Sequence, residues 1–180
     1  MEELRFLVVD ILGGWKLDKV ARVRSCNWYN FLLVFPNSML LIEVAIDSSK
    51  AGGCKKTAVC PTTLARAAQA KKLMGRDGEI MQVVFITLDP ERDTPEILDK
   101  YVKAFDPSFE ALYGTPEEIA VAAKDFGIFY EKIPAGDSYT LSHTATSFVF
   151  DTRGTLRLGL SASLNAKECA EDLLTVMEVC

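Results

Sequence analysis

The sequence predicts one α/β domain with a central sheet flanked by helices. Near-continuous apolar runs such as MQVVFITLD (81–89) are bounded by polar turns, as strands covered on both faces are. Between them lie segments with apolar residues at helical spacing, two of them opened by proline and closed by glycine. Strand-like and helix-like segments are interleaved along the chain, the order of a layered α/β fold. At 180 residues the chain suits one domain with a real core, so residues 1–180 are read as a single unit.

Taken in order, residues 4–12 and 20–24 read as short strands around the turn GGWKLD (13–18). Residues 31–46 read as two buried strands joined by the turn Pro36-Asn37-Ser38. A loop rich in Ser, Gly and Lys covers 47–59. Pro61 suits the first position of a helix, where its missing N–H costs nothing, and TTLARAAQAKKLM (62–74) continues with strong helix formers up to Gly75. The run 81–89 is a central strand. A helix over 93–105 starts at Asp93-Thr94-Pro95 and spaces Ile97, Leu98, Tyr101, Val102 and Phe105 along one face. The next helix, 115–127, has Thr115 as cap, Pro116 at the first position and Gly127 past its end. TSFVFD (146–151), the turn TRG and TLRLGL (155–160) make a hairpin. A terminal helix over 165–179 is capped by Asn165.

Composition narrows the function classes. The net charge of −5 leaves no basic face evident, which argues against a nucleic-acid partner. The longest apolar stretch, 31–46, is broken by Pro36, Asn37, Ser38 and Glu43. It also falls short of the roughly 20 apolar residues a membrane helix needs. The opening MEELRFLVVD has acids where a secretory leader has positive charge. As written, the chain reads as soluble, with no recognisable signal or membrane anchor.

The residues able to carry chemistry are few. There are five cysteines, Cys26, Cys54, Cys60, Cys169 and Cys180, and one histidine, His143. The odd cysteine count leaves at least one thiol unpaired in a monomer, and the spacing is too sparse for a disulfide scaffold. GGCKKTAVCPTT (52–63) holds Cys54 and Cys60 six positions apart. Cys60 stands just before the helix opened by Pro61. Helix N-termini offer free N–H groups and partial positive charge, and Lys55 and Lys56 add to it, so a thiolate is favoured there. A thiolate is both a nucleophile and a soft-metal ligand. The competing reading is a small buried residue, the commonest fate of a lone cysteine. His143 lies just ahead of a strand, and a lone histidine is more often a hydrogen-bonding residue than a ligand. The loop LDPERDTPE (88–96) leaves a strand end and enters a helix, the edge where ligands sit in open α/β sheets. Its acids and Arg92 read mainly as capping and pairing groups.

VCPTTL (59–64), VVFITLDPERDTPEILDKYVKAFDP (83–107), YGTPEEIAVAAKDFGIFYEKIP (113–134) and YTLSHTATSFVFDTRGTLRL (139–158) appear in this order. Together they resemble the SCO/SenC family of copper-binding, thioredoxin-like factors for cytochrome c oxidase assembly. The resemblance runs from about Thr57 to Val176, and DPERDTPE is its most specific part. Residues 1–56 depart from the pattern but have foldable apolar runs and turns, so they stay in the same thioredoxin-like domain.

The resemblance implies a copper site, for Cu(I) or Cu(II), built from a C-x-x-x-C pair at the start of the first helix and a distant histidine. Cys60 matches the second cysteine of the pair and His143 the histidine. Asp89 matches the loop aspartate near the metal. Lys56 stands where the first cysteine belongs, and Ser142 where an aspartate usually precedes the histidine. Cys54 lies two residues too early and joins the site only if the Gly52-Gly53 loop folds back. The implied role is that of a metallochaperone, possessing an impaired site if Cys54 does not serve, rather than an enzyme. Its implied partners are a copper donor protein and cytochrome c oxidase subunit II. The implied compartment is the periplasm or the mitochondrial intermembrane space. Two alternatives stay open. One is a thiol–disulfide oxidoreductase with Cys60 reactive and Cys54 resolving. The other is a relative that keeps the fold without metal or redox activity.

Overall fold

Apolar runs and helix starts became strands and helices in the structure, a computed structural model that describes residues 15–17, 23–26, 39–45, 59–144 and 146–178. Five strands form the main sheet, in the order β5-β4-β3-β8-β9. They are β3 (Met39–Ala45), β4 (Met81–Thr87), β5 (Glu110–Leu112), β8 (Thr146–Phe150) and β9 (Leu156–Ser161). β3, β4 and β5 run parallel, and β8 and β9 continue the sheet antiparallel. Two further pairs stand outside it: β1 (Trp15–Leu17) with β2 (Val23–Cys26), and β6 (Tyr130–Ala135) with β7 (Ser138–His143). The helices are α1 (Val59–Leu73), α2 (Pro95–Lys103), α3 (Pro116–Asp125) and α4 (Ala166–Glu178).

β4 is buried along almost all its length, as its unbroken apolar run requires of a strand covered on both faces. Parallel β3 and β4 need a crossover, and α1 supplies it. Leu64, Ala67 and Ala70 of α1 are buried, and α1 packs against α4, where Cys169, Ala170 and Leu173 are buried. Tyr101 of α2 meets Phe85 of β4 edge-on at 5.8 Å. Phe126, just past α3, meets Phe148 of β8 at 5.2 Å. Arg66 of α1 reaches Ser147 of β8. Successive strand residues point to opposite faces, so α1 and the end of α3 cover opposite sides of β8.

The helix starts follow their sequence signals. Thr115 and Glu118 form a reciprocal capping box ahead of α3. Asn165 accepts from the N–H groups of Lys167 and Glu168, which makes it the cap of α4. Gly75 and Gly127 take the positive φ expected just beyond a helix.

Several elements differ from the sequence reading, among them β5 (Glu110–Leu112), which was not foreseen. α1 begins at Val59, so Cys60 lies inside its first turn rather than before it. Trp15–Leu17 is a strand, although the reading placed those residues in a turn, because the alternating Trp15 and Leu17 suit a pleat. Val23–Cys26 is a strand that takes in the end of the expected strand 20–24, whose residues 20–22 lie outside the described residues. The pair β6–β7, which ends at His143, was not foreseen. The expected strands 4–12 and 31–35 lie outside the described residues, as does Cys54. No described helix is long and apolar enough to cross a membrane.

Candidate metal centre

Sheet topology brings the elements that carry Cys60, Asp89 and His143 towards one edge; Cys54 lies outside the described residues. β3 and β4 end together, with Ala45 opposite Thr87. β8 runs the other way and starts at that same edge, with Ser147 opposite Glu43. α1 runs back across the sheet. Near its C-terminus Lys71 Nζ donates to Met81 O at 3.0 Å, at the start of β4. In mid-helix, Arg66 Nη1 donates to Ser161 O at 2.9 Å and Leu164 O at 3.1 Å, where β9 ends beside the start of β8. The first turn of α1 therefore lies towards the edge where β3 and β4 end. Cys60 is the second residue of that turn. Asp89 follows β4 by two residues, and His143 closes β7 three residues before β8.

His143 pairs with Tyr130 across the hairpin. Its Nδ1 lies 3.0 Å from Thr144 O. A carbonyl only accepts, so Nδ1 is the donor in this contact. Asp89 is placed differently from a ligand. It is 1% exposed. Arg92 Nε donates to its Oδ2, and the Tyr139 hydroxyl donates to its Oδ1 at 2.8 Å. Both carboxylate oxygens are thus engaged by neighbouring side chains. Arg92 is the pairing group the sequence reading took it for. Tyr139, 50 residues from Asp89, was missed, because nothing local links the two.

The surrounding charges tie the loop after β4 to the β6–β7 hairpin. Arg92 Nη1 donates to Tyr139 O at 3.0 Å, and its guanidinium carbon stands 4.1 Å from the Tyr139 ring centroid. Lys132 Nζ bonds Glu91 at 2.7 Å, and that bond holds the Glu91 carboxyl below its ordinary range. Burial, followed by the bond to Asp89, pushes the Tyr139 phenol above its ordinary value and keeps it a donor. A cleft of about 540 Å³ opens along the same edge between the loops entering α2 and α3. Its acids are committed: Asp93 accepts from Thr87, Glu91 from Lys132, and Glu118 caps α3. Among the described residues, no group of three or more His, Cys, Asp and Glu is gathered to hold a metal.

A family model described as SCO1/SenC matches residues 54–178. The chain belongs to the SCO1/SenC family. The match takes in Cys54, Lys56, Cys60, Asp89 and His143, and extends slightly beyond the boundaries of the sequence resemblance. An SCO2-like protein of Rickettsia prowazekii (strain Madrid E) is 30% identical over 116 residues, 63% of this chain and 57% of the relative. The chain spans about half the length of the curated relatives it matches. A solved structure described as Bradyrhizobium japonicum ScoI with copper bound is 30% identical, with a TM-score of 0.67 over 80% of this chain and 88% of that one. Arabidopsis thaliana ScoI, also described with copper bound, reaches a TM-score of 0.73 over 83% of this chain and 89% of its own. At 20% identity that second likeness shows the fold alone. The fold of this SCO1/SenC member is thioredoxin-like, as the resemblance implied.

Proposed function

We propose that this protein binds copper as cargo through Cys60 and His143 and serves the assembly of cytochrome c oxidase as a metallochaperone. The observation that carries the reading is the common sheet edge. The first turn of α1, holding Cys60, and the end of β7, holding His143, are brought to it from 83 positions apart, inside the region matched by the family. A thiolate and an imidazole suit Cu(I), which takes soft ligands at low coordination number. Cys54 is the third donor if its loop folds back. Lys56 in the place of a cysteine removes one thiolate and adds a cation nearby, so the site is weaker than one with an intact pair. Asp89 serves in support of the site rather than as a ligand. A copper donor protein and cytochrome c oxidase subunit II are the proposed partners, in the periplasm or the mitochondrial intermembrane space.

Competition with a Cu(I) chelator of known affinity under reducing conditions tests this. His143→Ala weakens binding, and Lys56→Cys strengthens it if Cys54 stands outside the site. If Cys54 is a ligand, Cys54→Ala abolishes binding and Lys56→Cys adds little. Binding that survives Cys60→Ala and His143→Ala together sinks the proposal. A second reading, thiol–disulfide exchange by Cys60 with Cys54 as resolving thiol, is favoured by the place of Cys60 in the first turn of α1. Exchange does not need His143, so a His143→Ala variant with full exchange activity and unchanged copper affinity would favour it.

A further inference from the structure

The β6–β7 hairpin, which carries His143, stands apart from the five-stranded sheet. Five of the six residues of β6 are exposed, and in β7 only Leu141 is fully buried. An arm with so little apolar burial needs other fastenings. They converge on Tyr139, gripped by its side chain and its main chain at once. Its hydroxyl donates to Asp89 at 2.8 Å, its carbonyl accepts from Arg92 at 3.0 Å, and its ring lies under the same guanidinium. Asp89 and Arg92 are themselves bonded to each other, and the Asp89 N–H donates to Thr87 Oγ1 at 2.9 Å, at the end of β4. The grip is thus anchored to the central sheet. Tyr139 precedes His143 by four residues in the same strand, on the same strand face.

We propose that Asp89, Arg92 and Tyr139 form a clamp that docks the β6–β7 hairpin on the loop after β4 and so sets the position of His143 relative to the first turn of α1. Asp89 is then a positioning residue, acting through Arg92 and Tyr139. What His143 is positioned for rests on the copper reading; the clamp itself does not.

Two conservative variants of the full chain test it. Tyr139→Phe removes only the hydroxyl, leaving the ring and the carbonyl. Arg92→Lys keeps the charge and loses the planar fork that bridges Asp89 and Tyr139. Amide hydrogen exchange on the metal-free protein should quicken by about 10-fold across 140–143 in both variants, with β4 and α1 unchanged. Cu(I) affinity, measured by chelator competition, should fall by about 10-fold in Tyr139→Phe. It should fall no further when Tyr139→Phe is added to His143→Ala, because the clamp acts only through His143. Unchanged hairpin exchange in both variants overturns the proposal. So does an equal loss of affinity with and without His143. If the parent does not bind Cu(I), the copper reading fails, and the exchange rates alone decide the clamp.

Discussion

At the scale of single residues, burial and pairing separate the structural acids from the rest. Asp151 closes the turn between β8 and β9 with a side chain that is 1% exposed. Desolvation alone would raise its pKa. The N–H groups of Thr155 and Arg153 and the guanidinium of Arg157 outweigh that and hold the carboxyl below its ordinary value of 3.8. A carboxyl depressed in the folded state contributes stability that is present above the unfolded value and lost as pH falls through the folded one. Asp151→Asn should therefore cost about 1–3 kcal/mol near neutral pH, read from urea midpoints. The gap between parent and variant should shrink once pH drops below about 4, where the unfolded parent takes up a proton that the folded carboxyl still resists. A gap that stays constant down to about pH 2.5 would show that the charge contributes nothing. Asp89 shows the limit of reading residues singly. Its candidacy was visible in DPERDTPE, whereas its partnership with Tyr139 arises only when β7 folds back over the loop.

At the scale of elements, what was legible was what carries a local signal. Proline after threonine marked the starts of α2 and α3, and glycine marked the ends of α1 and α3. The β6–β7 hairpin was not legible, because a projecting arm has no buried face to impose a period-2 pattern on YEKIPAGDSYTLSH. The short 3-10 segment Asp77–Ile80 between α1 and β4 was also missed. It is nonetheless tightly specified. A Cβ on Gly78 would come 2.1 Å from the main-chain oxygen of Lys71, an atom that cannot step aside without moving α1. Gly78→Ala should destabilise the protein by about 1–3 kcal/mol. Gly159→Ala is the control, since a Cβ there meets Thr146 Cγ2 at an ordinary 3.5 Å. Thermal midpoints distinguish them, and a Gly78→Ala midpoint equal to the parent's would refute the clash.

At the scale of the whole molecule, the fold does not coincide with the stretch that marks the family. The SCO1/SenC match begins at residue 54, while the middle strand of the five-stranded sheet, β3, is Met39–Ala45. In the sequence this strand stands out only as an apolar run after Pro36, with nothing to rank it above 31–35. Its rank comes from position in the sheet. β3 pairs with β4 from Met39↔Met81 to Ala45↔Thr87 and with β8 from Leu40↔Phe150 to Glu43↔Ser147. Among the described strands it alone pairs with both the parallel and the antiparallel half of the sheet. Without it, β4 and β8 would each present a bare edge of unpaired N–H and C=O groups, and buried Val83, Val84, Phe85 and Val149 would lose their neighbour. A fragment of residues 54–180 should therefore fail to fold cooperatively, despite containing every residue of the family match. Near-UV circular dichroism and urea unfolding of 54–180 against the full chain make the comparison, with a sigmoidal transition expected only for the latter. Adding the peptide 36–47 in excess should restore part of the transition, since it returns the missing strand to a sheet with both neighbours waiting. A cooperative transition in 54–180 alone would mean that β3 is dispensable and that α1 and α4 hold the two halves together without it.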